Sequence, residues 1–404
     1  MNIKKVVSII SAITLIGSLA GCSQVKKEEQ AQGVTDTEIK IGNSAATSGA
    51  YAPVGVPFNA GIEAYLKMVN EKGGVNNRKI VFKHTDDEFD PVKGKAMLTK
   101  LVEDEKVFAI VGHFGTPVVG ATLEDLKDSG IPAVYFATGI GQLYNDKAEG
   151  RDRGIFPVQP IYKTEGQIMV ARAVGDFKAK KIAVIYTNDD AGKDILWGAE
   201  QKAKELGVEL VIQQVTAGAT DVSSAVTTVK NANADFIIAA SIQATFPTII
   251  KELAAQGVNK DVITTYVNVS PVVAKTVVNE IKGKFNVYGN GWVAFDGERA
   301  KALEEFVKYT PNYKDNVYAM TGWIAAHYFV EGLKRVEGTI TWKKYMDALE
   351  KAPIKNPFGG EINFAGGLRA GTQEMNLGKI SHTNLNGAWE DVKPLQSMKS
   401  ILGK

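Results

Sequence analysis

KVFAIVGHFGTPVVGATLEDLKDSGIPAVYFATGIG, residues 106–141, is the stretch of sequence that decides the fold. Residues 107–111 are a short apolar run with β-branched side chains, which predicts a buried strand. The helical spacing of apolar residues that follows ends at Gly130, and residues 131–136 predict a second buried strand. A strand, a helix and a second strand in this order predict a βαβ unit of a parallel sheet.

Two turns of small residues follow these strands. The first contains Thr116, and the second consists of Ala137, Thr138 and Gly139. In open α/β sheets, ligands bind at the carboxyl edge of the strands, where loops and helix N-termini offer free N–H groups. The sequence therefore predicts that Thr116 and the loop 137–139 form half of a small-molecule pocket.

The alternation of strand and helix patterns continues on both sides of this unit, with one interruption at residues 142–160. It predicts two successive lobes, and the late helical region makes us expect that the chain returns to the first lobe. The predicted fold is α/β, with two doubly wound parallel-sheet lobes joined by a multi-crossover hinge and a cleft between them. Lobe 1 is predicted to comprise residues 37–160 and 291–367, and lobe 2 residues 161–290 and 368–404.

The first residues carry the pattern of an export signal. Lys4 and Lys5 precede an apolar run, residues 6–20, that contains no charge. This run is too short for a transmembrane helix and no other apolar run approaches about 18 residues, so export is the better interpretation. We predict a lipoprotein signal peptide over residues 1–21.

The end of this signal indicates lipidation. Leu-Ala-Gly-Cys, residues 19–22, resembles the lipobox of bacterial lipoproteins, in which cleavage leaves the cysteine as an acylated first residue. Cys22 is therefore the predicted lipidation site and membrane anchor, and the polar residues 22–36 are predicted to be a tether. The alternative is a chance cysteine in an ordinary secretory signal. Cys22 is the only cysteine, so the exported protein must fold without disulfides.

Charge and motifs exclude several classes of function. Loss of residues 1–21 would lower the formal net charge from +2 to 0, and no basic patch is visible, so nucleic acid is not an expected partner. The motifs G-x-x-x-x-G-K-[ST], G-x-S-x-G and H-E-x-x-H are absent, and four histidines and one cysteine leave few groups for nucleophilic or zinc chemistry. We therefore expect no enzyme, no metal and no cofactor.

Six segments in register carry a family likeness. They are EIKIGNSAATSGAYAPVG (38–55), AGIEAYLKMVNEKGGVNNRKI (60–80), DDEFDPVKG (86–94), AIVGHFGT (109–116), DSGIPAVY (128–135) and KIAVIYTNDDAG (181–192). They resemble the type I periplasmic binding proteins of the branched-chain amino-acid (Leu/Ile/Val) class. The resemblance implies a receptor, expected to be a monomer, that closes on a small solute and delivers it to a membrane ABC permease.

The resemblance also suggests site residues. Thr116 matches the family's hydroxyl residue that binds the ligand carboxylate, and Thr138 matches, displaced by one residue, the threonine of the next loop. The second lobe of relatives offers tyrosines where this chain has Ala191 and Ile242, and an acidic residue where it has Tyr266.

The missing acidic residue bears on the ligand. A buried ammonium without an opposing charge costs several kcal/mol. Either Asp189 replaces the acid, or the ligand has no amino group. A carboxylate or amide with an apolar or aromatic body would fit Thr116, Tyr162 and Tyr266, and Gln243 is a further candidate contact.

Three functional readings stay open at this point. The favoured one is a lipid-anchored, extracytoplasmic solute-binding protein of an ABC importer. The second is a bilobal sensor that signals ligand occupancy to a partner, and the third is an exported hydrolase that uses Asp189 and Asp190 with a metal. Thr116 also has an alternative role as a helix N-cap.

Overall fold

The computed structural model describes residues 29–294, 297 and 299–404. The predicted signal peptide, the predicted lipidation site and the first part of the predicted tether, residues 1–28, lie outside the described residues.

The end of the predicted tether is attached to the folded chain. The N–H of Ala31 donates to the carbonyl of Ile340 at 2.9 Å, and the side-chain amide of Gln32 donates to the carbonyl of Val107 at 2.9 Å. The last part of the predicted tether is therefore hydrogen-bonded to the folded chain, and the bounds of the tether stay a prediction. Polar, aperiodic sequence does not reveal hydrogen bonds to distant carbonyls, and these bonds hold the segment in place.

The first sheet is parallel and contains the βαβ unit predicted from the sequence. Its strands are β1 (Glu38–Ala45), β2 (Lys79–Asp86), β3 (Ala109–Phe114), β4 (Ala133–Ala137) and β5 (Ile155–Phe156), and the connecting helices are α1 (Ala52–Glu71), α2 (Pro91–Thr99) and α3 (Thr116–Ser129). The strand order is β2-β1-β3-β4-β5. β3 extends through Phe114, where the sequence predicts a turn from residue 112, because Phe114 still pairs with Ala137 of β4.

The second lobe repeats the alternation. It contains β6 (Lys181–Thr187), β7 (Glu209–Val215), β8 (Phe236–Ala240), β9 (Val262–Thr264) and β10 (Val287–Gly291), with α4 (Tyr162–Gly175), α5 (Asp190–Leu206), α6 (Ser223–Ala232), α7 (Phe246–Ala255) and α8 (Pro271–Ile281). These five strands are mutually parallel. Their inner strands are continuously apolar, as expected for a sheet covered on both faces.

The chain then returns to the first sheet and back again. The returning elements are α9 (Arg299–Tyr309), α10 (Val317–Lys334), α11 (Trp342–Lys351) and the hairpin strands β11 (Ile354–Lys355) and β12 (Glu361–Ile362). α10 packs against α1, β3 and β4. The last elements are β13 (Glu374–Ile380), β14 (Trp389–Ser397) and α12 (Met398–Leu402).

The edge of the second sheet differs from the parallel sheet that the sequence predicts. Its strand order is β14-β13-β10-β9-β8-β6-β7, and β13 pairs antiparallel with both β10 and β14. The reversal follows from the chain path, because β13 enters the sheet on its way back from the first lobe. Two α/β lobes with several crossovers are thus the observed architecture, and the residue boundaries of the lobes stay a prediction.

Two glycines let α1 and α10 approach closely. A Cβ atom on Gly61 of α1 would lie 1.8 Å from the carbonyl oxygen of Ala319, and one on Gly322 of α10 would lie 1.8 Å from the carbonyl oxygen of Phe58. Both helices are buried along this contact. The first lobe therefore depends on backbone-to-backbone packing that a single added methyl group would prevent.

We expect Gly61→Ala and Gly322→Ala each to lower Tm by several degrees, because the helices must separate, and overpacking costs about 1–3 kcal/mol. Gly175→Ala in α4 is the control, since a Cβ there meets nothing within 4 Å. Thermal unfolding followed by circular dichroism measures the effect. Equal Tm values for Gly61→Ala and Gly175→Ala would contradict this account of the helix contact.

Candidate ligand-binding site

The turn after β3 places a buried hydroxyl at the cleft. Gly115 precedes α3 with φ of 92°, a conformation that favours glycine, and Thr116 is the first residue of the helix. The Thr116 hydroxyl lies 2.8 Å from the hydroxyl of Thr138. Thr116 is thus brought to the loop after β4, and the N-cap position of α3 belongs to Gly115 and not to Thr116.

The loop after β4 touches the second lobe. A Cβ on Gly139 would lie 2.1 Å from the carbonyl oxygen of Pro160 and 2.8 Å from the hydroxyl of Tyr266, so only glycine fits there. The carbonyl of Gly139 accepts the N–H of Tyr162 at 2.7 Å. This loop therefore determines how close the two tyrosines come to the threonine pair.

Tyr162 and Tyr266 form an aromatic wall. Their rings are stacked, with centroids 5.7 Å apart and an interplanar angle of 27°. Burial raises the pKa of Tyr162 to about 12, and the neighbouring hydroxyls of Thr138 and Thr116 oppose this shift. Both phenols stay protonated at neutral pH. A phenol has a single O–H to donate, and Tyr266 donates its own to Gln159, so Tyr162 is the phenol that can donate to a ligand oxygen.

Gln159 connects this wall to the first sheet. Its side-chain carbonyl accepts the Tyr266 hydroxyl at 3.0 Å, and its amide donates to the hydroxyl of Tyr135 in β4 at 2.7 Å. Sequence reasoning missed Gln159, which lies in the irregular segment 142–160 without any periodic pattern. The signal that could have found it is its place directly before the start of the second lobe.

The cavity between the lobes is lined by aromatic, aliphatic, hydroxyl and amide side chains. Its lining residues are Tyr51, Val54, Phe58, Phe89, Phe114, Gly115, Thr116, Ala137, Gln159, Tyr162, Ile242, Gln243, Tyr266, Val267, Val269, Trp292, Val317, Tyr318 and Thr321. Among the described residues that line it, none is charged. The predicted residues Thr138 and Gly139 lie just behind the lining, in contact with Thr116 and Tyr266.

Trp292 is a further lining residue that the sequence did not reveal. β10 ends at Gly291, directly before Trp292. Trp292 therefore follows a strand at the carboxyl edge of the sheet, where ligand contacts concentrate. Placing the strand end correctly would have been enough to find it.

The two lobes are in contact around this cavity. The N–H of Gly141, after β4, donates to the Asp194 carboxylate of α5 at 2.5 Å. The Tyr318 hydroxyl of α10 donates to the carbonyl of Val267 at 3.3 Å. The remaining cavity has a volume of about 50 Å³, far below the roughly 300–1,000 Å³ typical of ligand pockets. The lobes lie close together in this arrangement, and a ligand larger than the cavity needs them to move apart.

A family model described as periplasmic binding protein matches residues 38–385. The chain belongs to the periplasmic binding protein family. It is similar to Leu/Ile/Val-binding protein homolog 1 of Brucella abortus (strain 2308), with 24% identity over 336 residues that cover 80% of this chain and 85% of that protein.

Solved structures of binding proteins share its fold. A fatty acid ABC transporter substrate-binding protein from Thermomonospora curvata superposes with a TM-score of 0.78 at 21% identity, covering 93% of this chain and 96% of that chain. A branched chain amino acid ABC transporter protein from Thermus thermophilus with bound valine gives a TM-score of 0.77 at 17% identity, covering 91% and 99%. The fold is that of the type I periplasmic binding proteins.

The protein is therefore a type I solute-binding protein of the ABC-transporter family. This family is extracytoplasmic, binds small molecules, works with ABC permeases and is not a family of enzymes. Within the described part of the chain, no helix has the length and hydropathy needed to cross a membrane. In the same part, no group of three or more His, Cys, Asp or Glu side chains could hold a metal ion.

Asp189 has a different place in this periplasmic binding protein from the one that the sequence predicts. Its carboxylate accepts the N–H of Gly192 at 2.9 Å and the hydroxyl of Thr187 at 2.7 Å, so it caps α5. It is not among the residues that line the cavity. The physical reason is that an Asp one residue before a helix finds free N–H groups in its own first turn.

Gln243 lines the cavity, and its side-chain amide already makes a hydrogen bond. Its side-chain amide donates to the carbonyl of Val267 at 2.9 Å, which leaves the side-chain carbonyl available. Ala191 is buried beneath the first turn of α5, and Ile242 lines the cavity. Where the family resemblance leads one to expect tyrosines, this chain has two small or aliphatic side chains.

A buried acid lies behind the cavity wall. The carboxylate of Glu165 accepts the Thr265 hydroxyl at 2.6 Å and the N–H of Tyr266 at 2.8 Å. Its side chain is fully buried, and this burial raises the pKa of Glu165 to about 8, although both hydrogen bonds oppose the shift. Glu165 positions the backbone of Tyr266 and is itself shielded from the cavity.

Glu165 makes stability depend on pH. Its folded-state pKa is raised, so its contribution is fully present below the unfolded pKa near 4.5 and is lost as pH rises through about 8. We expect Tm to fall between pH 5 and pH 9, with a change in unfolding free energy of the order of a few kcal/mol. Glu165→Gln, which mimics the protonated acid, removes much of this slope.

Thermal unfolding of wild type and Glu165→Gln across this pH range checks the prediction. Glu200→Gln is the control, because Glu200 is exposed on α5. If Glu165→Gln and wild type lost stability in parallel as pH rises, Glu165 would be ionised throughout and the assignment would be wrong.

Proposed function

We propose that the protein is the lipid-anchored, extracytoplasmic solute-binding protein of an ABC importer and works as a monomer. We propose further that it binds a small ligand with a carboxylate or amide at one end and an apolar or aromatic body at the other. The observation that carries this proposal is an uncharged interlobe cavity that has paired threonine hydroxyls on one side and aromatic rings on the other.

The threonine side suits the polar end of the ligand. Thr116 lies at the N-terminus of α3, where the helix dipole and free N–H groups favour a negative charge. The Tyr162 hydroxyl and one hydroxyl of the threonine pair can supply further donors, because Tyr266 already donates to Gln159. A carboxylate bound here would exchange its water molecules for fixed hydrogen-bond donors of the protein. The described part of the cavity lining contains no anionic side chain that would repel it.

The lack of charge argues against a free amino group. An ammonium in this cavity would meet no carboxylate, because Asp189 caps α5 and Glu165 is bonded to Thr265 and Tyr266. An unpaired buried ammonium costs several kcal/mol. A branched-chain amino acid is the second candidate, favoured by the name of the Brucella relative and by the valine in the Thermus structure.

Closure supplies part of the binding energy. Apolar burial stabilises the complex by about 25 cal/mol per Å². The ligand shifts the equilibrium between the open and closed forms only by the difference between its affinities for the two forms. Phe58, Phe114 and Trp292 provide the apolar surface in the cavity. The interlobe bonds of Gly141 with Asp194 and of Tyr318 with Val267 then complete the closed form.

Thr116→Ala tests the polar end. A thermal-shift panel of amino acids, aromatic acids, aliphatic acids and their amides identifies the best ligand, and calorimetry gives its affinity. We expect Thr116→Ala to weaken binding about 10- to 100-fold through loss of a charge-assisted hydrogen bond, and Thr116→Ser to restore most of it.

The matched control is Thr228→Ala, because this hydroxyl bonds only within α6. Unchanged affinity in Thr116→Ala would refute the proposed site. A best ligand that carries a free ammonium, bound more tightly than the same acid without it, would replace the favoured ligand class by the second candidate.

The anchor has a separate test. We expect the protein expressed in a bacterium with lipoprotein processing to begin at Cys22 and to carry acyl chains, because Cys22 ends the lipobox-like sequence. Mass spectrometry of the N-terminal peptide and incorporation of labelled palmitate measure this. Cys22→Ala should take up no label, whereas Ser23→Ala should be labelled like wild type. An unlipidated N-terminus at another residue would contradict the anchor.

A further inference from the structure

A second cavity lies next to the ligand cleft and has a volume of about 950 Å³. One of its walls belongs to α9 and α10 of the returning segment, with Leu303, Val307 and Met320. The opposite wall belongs to β14 of the second sheet, with Trp389 and Leu395. The proposed polar site uses none of these residues.

The two cavities share a boundary. Val269 and Val317 line both of them. Val269 follows β9 in the second sheet, Val317 begins α10 against the first, and both side chains are half-buried. The partition between the cavities is thus made of two aliphatic side chains, one from each side of the cleft. A rotamer change or a small separation of the lobes joins the two spaces.

The sizes of the cavities make this connection necessary for any larger ligand. The first cavity, with about 50 Å³, holds a polar head and little more. The second offers about 950 Å³ with mainly aliphatic walls. The charged residues at its margin have both signs, Arg299, Lys314 and Lys393 with Asp315 and Asp391, so they select no second charged group.

We propose that the ligand is an amphipathic acid or amide whose head binds at Thr116 and whose unbranched apolar chain passes Val269 and Val317 into the second cavity. This inference rests on the proposed function, because it extends the ligand of the same site. The apolar chain of that ligand is the occupant that we assign to the second cavity. The reason for this choice is that the second cavity adjoins the ligand cleft.

Straight-chain monocarboxylates of four to twelve carbons, used below their micelle concentrations, are the probes. We expect the affinity to rise about fourfold for each added methylene group, the factor that corresponds to burial of one CH₂. Leu303→Trp, which fills the second cavity, should weaken binding of the longest acids at least tenfold and leave the shortest acids unchanged.

Leu395→Trp fills the same cavity from the opposite wall. It is the variant to measure if Leu303→Trp does not fold. Val92→Trp is the control, because Val92 is exposed on α2 and lines neither cavity. Equal affinity for short and long acids, or unchanged long-chain binding in both filling variants, would overturn the inference. Sensitivity of the short acids to Thr116→Ala would then leave the proposed function standing.

Two further results distinguish the failures. Long acids that respond to Leu303→Trp and not to Thr116→Ala would occupy the second cavity alone, which overturns the shared ligand. Absence of binding by every acid and amide would overturn the proposed function and this inference together.

Discussion

The contact on which the site depends is the hydrogen bond between the hydroxyls of Thr116 and Thr138, 2.8 Å apart. It exists because β3 and β4 are parallel neighbours, so that the residues following each strand emerge at the same edge. Both hydroxyls are buried, and buried donors must be satisfied by each other, by the backbone or by a ligand. The carboxylate of the proposed ligand would accept one of these hydroxyls in the same way.

Opposite the two threonine hydroxyls, a buried carboxyl group lies behind the cavity wall. Glu165 lies behind Tyr266, and its two carboxylate oxygens are occupied by Thr265 and the Tyr266 N–H. Because burial raises the pKa of Glu165 to about 8, this carboxyl group can be neutral near pH 7. It then places little negative charge behind the cavity wall. A carboxylate ligand can bind there without strong repulsion. An ammonium would find a phenol where a carboxylate is needed.

The sequence predicts the fold more fully than the site. The alternating patterns predict the βαβ unit and the two lobes, because strand and helix periods are local properties. Thr116, Ala137 and Tyr266 could be placed near the cleft by the strand-end rule and the family resemblance. The antiparallel β13 could not, since its direction depends on where the chain re-enters the second sheet.

The errors at the site also have physical causes. Asp189 follows the end of its strand, where ligand-binding side chains are expected. The sequence does not show that its carboxylate instead accepts the N–H of Gly192. Gln159 connects Tyr135 to Tyr266 across elements that are distant in sequence. A hydrogen bond of this kind leaves no periodic trace, so only the position of Gln159 directly before the second lobe could have pointed to it.

Closure and ligand size are coupled in this architecture. If the ligand is the proposed acid, a short one would contact only α3 and the tyrosine wall during closure. A longer chain would also lie between α10 and β14, elements that belong to opposite sides of the cleft. The chain would be buried only when the two lobes have closed around it. Its burial would therefore stabilise the closed state relative to the open state. The chain past Val269 and Val317 would therefore strengthen both affinity and closure, and the permease would meet a more fully closed protein with the longer ligand.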